Sequence, residues 1–155
     1  MFQLIVAIIS IALIAALAAA SIFYGGSAFT DSSLKANVTT LVNGGQQISG
    51  AQAIYKTDNA GAPQTDIALL ADGTYLAAVP TPANIASGPW VLSADGTHAV
   101  IPLTAGEGAD KVCELVSTQN NGATAAGTDA TDMAVTGGTY ACDAVEDAAF
   151  FAFKL

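Results

Sequence analysis

The chain has 155 residues, with 13 Asp/Glu against 4 Lys/Arg and a formal net charge of −9 at pH 7. That length fits one small domain plus an anchor, and the charge disfavours nucleic-acid binding, because an acidic surface repels phosphate backbones. Lys35, Lys56, Lys111 and Lys154 are scattered and there is no Arg, so no basic patch forms in the sequence.

The mean hydropathy of +0.50 is high because the apolar residues are unevenly placed. No residue in 1–30 carries a charged side chain; every Lys, Asp and Glu lies in 31–155. Residues 2–24 read FQLIVAIISIALIAALAAASIFY, with only Gln3, Ser10 and Ser21 polar. About 20 apolar residues of helix cross a bilayer core, so this run is long enough to span one. A cleaved secretory signal is the competing reading, and the small residues of 15–20 imitate a cleavage site. Against it, no Lys or Arg precedes the run, which is also longer than the roughly 7–15 residues of a signal's apolar region.

Gly25 and Gly26 follow. Each weakens a helix by about 1 kcal/mol relative to Ala, which predicts a point of unwinding or bending; a simple linker is the alternative. Asp31-Ser32-Ser33 then offers helix-start chemistry. Leu34, Val38, Leu41, Gly45, Ile48, Gln52 and Tyr55 recur at spacings of 4, 3, 4, 3, 4 and 3. This is the stripe of an amphipathic helix packed on a head, with Gly45 and Gln52 as lapses. One long helix is therefore predicted over 2–56, apolar on every side in its first half and on one side in its second. Small residues along it, among them Ala12, Ala16, Gly44, Gly45 and Gly50, permit close approach of helices.

The turn cluster at 57–63 (TDNAGAP) ends that helix. Residues 65–71 form a short predicted helix, with Thr65 as N-cap, Asp66 in the first turn and Gly73 at the stop. Leu76 and Val79 are expected to be buried. Residues 90–93 and 98–101 flank Ala94-Asp95-Gly96-Thr97, and an Asp-Gly turn between β-rich runs predicts a hairpin. Residues 110–117 read as a helix with Val112, Leu115 and Val116 on one side. The Gly/Ala/Thr/Asn-rich stretch 117–138 reads as a loop, and 139–142 and 150–155 as strands. The expected head is a small antiparallel sheet lying on the long helix.

The two cysteines, Cys113 and Cys142, are an even pair on a domain that the anchor places outside the cytosol, which predicts one disulfide. It closes a loop of about 30 residues, worth roughly 3 kcal/mol in the chain-entropy model; two buried reduced thiols are the alternative. No CxxC, GxSxG, Cys/His cluster or phosphate loop followed by Lys occurs, so no catalytic, cofactor-binding or metal residue is assigned. The one histidine, His98, is expected to be a solvated strand residue. Asp129, Asp132, Asp143, Glu146 and Asp147 make a loose acidic group with oxygens that suit Ca²⁺, but their spacing matches no EF-hand loop, and a solvated acidic loop is the preferred reading.

The order of these parts resembles the type IV pilins. An apolar helix runs into an amphipathic one; then residues 54–82 give a helix end, an Asn/Gly/Pro turn, a short helix and the phrase Gly73-Thr74-Tyr75-Leu76 with Val79-Pro80. The second half resembles the type IVb branch of bundle-forming and conjugative thin pili, with a first cysteine in a helix (111–116) and a second just before a final aromatic strand (150–155). The resemblance implies an α+β pilin fold with residues 1–30 as a membrane and filament-core helix. Residues 31–155 are then the head, 31–56 being the helix continuation and 57–155 the α/β part with the disulfide region.

It further implies a non-enzymatic major pilin, assembled with identical subunits through Phe2, Leu4, Val6, Ile9, Leu13, Leu17 and Ile22, with Gly25 and Gly26 as a helix-melting hinge. Such a subunit waits in the inner membrane with the assembly machinery and then joins an extracellular filament serving adhesion, aggregation, DNA transfer or motility. A pseudopilin or minor pilin, or a plain membrane-anchored binding domain, are the alternatives. An N-methylated terminus at Met1, taken as the mature start, is implied by the family alone. One departure is plain: pilins carry a Glu at mature position five, whereas here Ile5 stands there, Val6 follows, and no acidic residue precedes Asp31.

Overall fold

Residues three and four apart along a helix share one face, and the stripe that starts at Leu34 is the face on which the head is built. The computed structural model describes residues 2–23, 31–82, 84–127, 129–143 and 148–155. In chain order the elements are α1 (Phe2–Asp58), α2 (Ile67–Leu70), β1 (Val91–Leu92), β2 (His98–Leu103), α3 (Glu107–Gln119), β3 (Thr124–Ala126), β4 (Ala134–Thr136), β5 (Tyr140–Val145) and β6 (Ala148–Lys154). The architecture is α+β, with one long helix and small antiparallel sheets. The chain divides into two units, Met1–Ser33 and Leu34–Leu155.

In the second unit Val38, Leu41 and Ile48 are fully buried, with Leu34 and Tyr55 packed at the edges of the same core. The two apparent lapses in the stripe have physical reasons. A Cβ on Gly45 would stand 2.8 Å from Phe153 Cβ and closer still to its ring, so only glycine lets α1 lie against β6. Gln52 is buried, and its Nε2 donates to Gln64 O and Gly96 O, both at 2.9 Å. It bridges the helix to the segment after it and to the β1–β2 turn, where Gly96 adopts φ +64°.

The main sheet has the order β1-β2-β6-β5, antiparallel throughout. Strand alternation sends its residues to two faces. Ala99, Ile101, Leu103, Phe151 and Phe153 share a core with Val38, Leu41 and Ile48 of α1 and Val112 and Val116 of α3. Val100, Ala141 and Ala152 share a second core with Ala123, Ala125, Met133 and Val135. Trp90 meets Phe151 edge-on at 6.1 Å, and Tyr140 stacks on Phe153 at 6.2 Å.

That second core corrects the loop expected over 117–138. α3 runs on to Gln119, and β3 and β4 then pair as a hairpin, Ala125 opposite Val135. Its buried side chains are small, so no β-rich run announces it; the sheet face it covers creates its strands. His98 is corrected with it: the residue is buried, 9 % exposed, because it lies on the face the hairpin covers. Two smaller corrections concern helix starts. Asp66, not Thr65, caps α2, its carboxylate accepting from Ala68 N at 2.9 Å. α3 begins at Glu107, and Glu107 and Asp110 in its first turn suit the positive end of the helix. Leu76 and Val79 are half-buried against the core.

The Gly45–Phe153 contact sets a clear expectation. Gly45→Ala improves helix propensity by about 1 kcal/mol, yet it overpacks the α1–β6 seam, which costs about 1–3 kcal/mol. The net result is a head no more stable than the parent and up to about 2 kcal/mol less stable, measured by denaturant unfolding of the full chain in detergent with Trp90 fluorescence as the probe.

Candidate functional site

The candidate site is the first part of α1. Residues Phe2–Phe23 form a helix long and apolar enough to cross a membrane, and among the described residues none of its apolar window is buried. At about 1.5 Å per residue it spans roughly 33 Å, close to the hydrocarbon thickness of a bilayer. Phe2, Leu4, Val6, Ile9, Leu13, Leu17 and Ile22 are exposed, from 50 % at Val6 to 83 % at Phe2. The two serines inside the run bond to their own helix. Ser10 Oγ donates to Val6 O at 2.8 Å, and Ser21 Oγ donates to Leu17 O at 2.9 Å and Ala18 O at 3.0 Å. Back-bonded hydroxyls of this kind remove the cost of placing Ser in hydrocarbon. Met1, Gly25 and Gly26 lie outside the described residues.

In the head, Cys113 on α3 and Cys142 on β5, 29 positions apart in sequence, are joined as a disulfide, Cα–Cα 5.0 Å. Asn120, at the C-cap of α3, adds a second tie by donating from Nδ2 to Tyr140 O. Two open grooves flank the buried Trp90. One, of about 450 Å³, is lined by Ile67, Val79, Pro80, Pro82, Ala86 and Pro89 among others; the second, of about 360 Å³, by Thr40, Asn43, Gln47 and Thr81 among others. Among the described residues, Trp90 Nε1 is buried without a hydrogen-bond partner.

Around His98 the fold assembles a set of contacts that no motif announces. Val135 N donates to His98 Nε2 at 3.2 Å, and His98 Nδ1 lies 2.7 Å from Thr97 Oγ1. Thr97 Oγ1 donates to Asp95 Oδ2 at 2.7 Å and Ser93 Oγ donates to Asp95 Oδ1 at 2.6 Å. Those donors, Ser93 first, hold the Asp95 carboxyl down at about 2. Burial pushes His98 below its ordinary value, with Lys154 acting in the same direction and Asp95 against it. Of the expected acidic group, Asp129 and Asp132 cap the turn before β4: Asp129 Oδ1 accepts from Thr131 N and Oγ1, and Asp132 Oδ1 accepts from Asp129 N. Glu146 and Asp147 lie outside the described residues. Among the described residues no three His, Cys, Asp or Glu side chains gather where a metal ion could sit.

No family model matches the chain, and no curated protein or solved structure matches it either. The likeness to type IV pilins rests on the order of its parts.

For the disulfide, we expect Cys142→Ser to lower head stability by about 2–5 kcal/mol, through freedom gained by the unfolded chain. Mass spectrometry of the unreduced protein should show the parent two hydrogens lighter than its reduced form, and unfolding curves of parent and variant give the difference.

Proposed function

We propose that the chain is a structural subunit of the type IV pilin kind, held in a membrane by residues 2–23 and then assembled with identical subunits into an extracellular filament. The observation that carries this reading is the uncovered apolar surface of Phe2–Phe23 on the same helix that supplies the head's packing stripe. A simple tether needs the first feature alone. A helix that is at once anchor and head spine suits a subunit whose heads are carried by a bundle of those helices.

Burial supplies the driving force. At about 25 cal/mol per Å² of apolar surface, covering a helix that is apolar all round gives a large gross gain, in lipid or against neighbouring helices. The small residues Ala7, Ala12, Ala16 and Ala19 let such helices come close. Ile5 is 56 % exposed and no acidic residue occurs in 1–30, so assembly in this reading rests on apolar contact. In this reading the chain has no catalytic role and needs no cofactor, its acidic head binds no nucleic acid, and the inner membrane and assembly machinery are its partners before polymerisation.

Ala16→Asp tests the reading. An unpartnered charge buried in the bundle costs several kcal/mol. The variant should keep the head disulfide and the parent Trp90 emission while filaments disappear from sheared cell-surface material. Filaments in normal amount from the variant would contradict the bundle.

A further inference from the structure

We propose that His98 is a pH-sensitive latch: neutral, with its proton on Nδ1, it fastens the β3–β4 hairpin to the head sheet, and protonation at Nε2 undoes that fastening. The inference stands on the head alone and is independent of the filament reading.

The hydrogen bonds fix the protonation state. A backbone N–H can only donate, so the Nε2 that receives Val135 N–H must be bare. A neutral imidazole with a bare Nε2 carries its proton on Nδ1. Nδ1–H then donates to Thr97 Oγ1, which leaves the Thr97 hydroxyl proton for Asp95 Oδ2, while Ser93 Oγ–H serves Asp95 Oδ1. Each proton in the chain from Val135 to Asp95 has one consistent direction. Adding a proton at Nε2 sets two N–H donors face to face in a buried site, and the Val135 bond is lost.

The hairpin is well placed to feel that loss. Its apolar seat is built from short side chains, Ala123, Ala125 and Val135 with Met133, against Val100, Ala141 and Ala152. Small side chains bury little surface each, so a buried polar fastening carries a larger share of the hold. Ala94 N donates to Thr131 O at 3.0 Å and keeps the connecting loop near the β1–β2 turn, which leaves β4 as the part that His98 governs.

The charges on the surrounding elements are Asp95 in the β1–β2 turn, Lys154 opposite His98 on β6, and Asp129 and Asp132 on the β3–β4 connection. Asp95 favours a charged ring; Lys154 and burial oppose it, and burial dominates. A histidine whose value falls on folding binds more protons when released, so the latch is intact above the ordinary value of about 6.5 and loosens as pH falls below it. Asp95 stays ionised down to about 2, and Asp129 is held below the ordinary carboxylate value by Thr131, so neither titrates in that window.

The test uses the full chain, isotope-labelled, in detergent micelles. At about pH 7.5 the ring nitrogens of His98 should report the Nδ1–H tautomer. The protection factor of the Val135 amide, which corrects for the pH dependence of exchange itself, should fall about tenfold or more between about pH 7.5 and about pH 5, while amides of β6 keep theirs. His98→Gln, neutral at every pH, should abolish the dependence. An Nε2–H tautomer, or equal Val135 protection at the two pH values, overturns the proposal on the unmodified chain alone. The same acid-dependent loss in His98→Gln overturns it by assigning the effect to another group.

Discussion

A helix apolar on every side has no stable place in water, and residues 2–23 form such a helix, exposed among the described residues. The rest of the molecule is consistent with that constraint. All charge is confined to 31–155, so no charged side chain has to enter hydrocarbon or a helix bundle. Ser10 and Ser21 spend their hydroxyls on their own backbone. The head has a core of its own, built among its described residues from Val38 to Phe153.

Inside the head the equivalent constraint is the closeness of α1 to the sheet. Two large side chains, Phe153 on β6 and Trp90 just before β1, need space on the helix, and Gly45 and Gly44 give it: a Cβ on Gly44 would meet the Trp90 ring at 3.0 Å. The helix thus carries a groove where a regular stripe would put a ridge. Gln52 then replaces an apolar contact by two hydrogen bonds to loop carbonyls, which orients the helix end relative to the β1–β2 turn. The opposite face of the sheet is covered more lightly, by short side chains of β3 and β4, and there a histidine sits in the core.

Much of this was legible from residue order because it follows from period. The spacings from Leu34 to Tyr55 gave the buried face of α1, the Asp95-Gly96 turn gave the β1–β2 hairpin, and Val112 and Val116 gave the inner side of α3. What was not legible depends on contacts distant in sequence. Thr124-Ala125-Ala126 and Ala134-Val135-Thr136 are strands because a sheet face needed covering, and His98 is buried because they cover it. Gly45 and Gln52 looked like defects until their partners, Phe153, Gln64 and Gly96, were brought beside them. The exposed helix was legible by length and hydropathy.

The central claim is that neighbouring copies of this chain cover that helix. Cryo-electron microscopy of filaments sheared from cells that make the protein tests it most directly. The account predicts a helical assembly with residues 2–23 in the core, each helix in contact with those of neighbouring subunits, and the disulfide-closed heads outside. Recovery of the chain only as a monomer in the membrane fraction, with no filament containing it, would contradict the account.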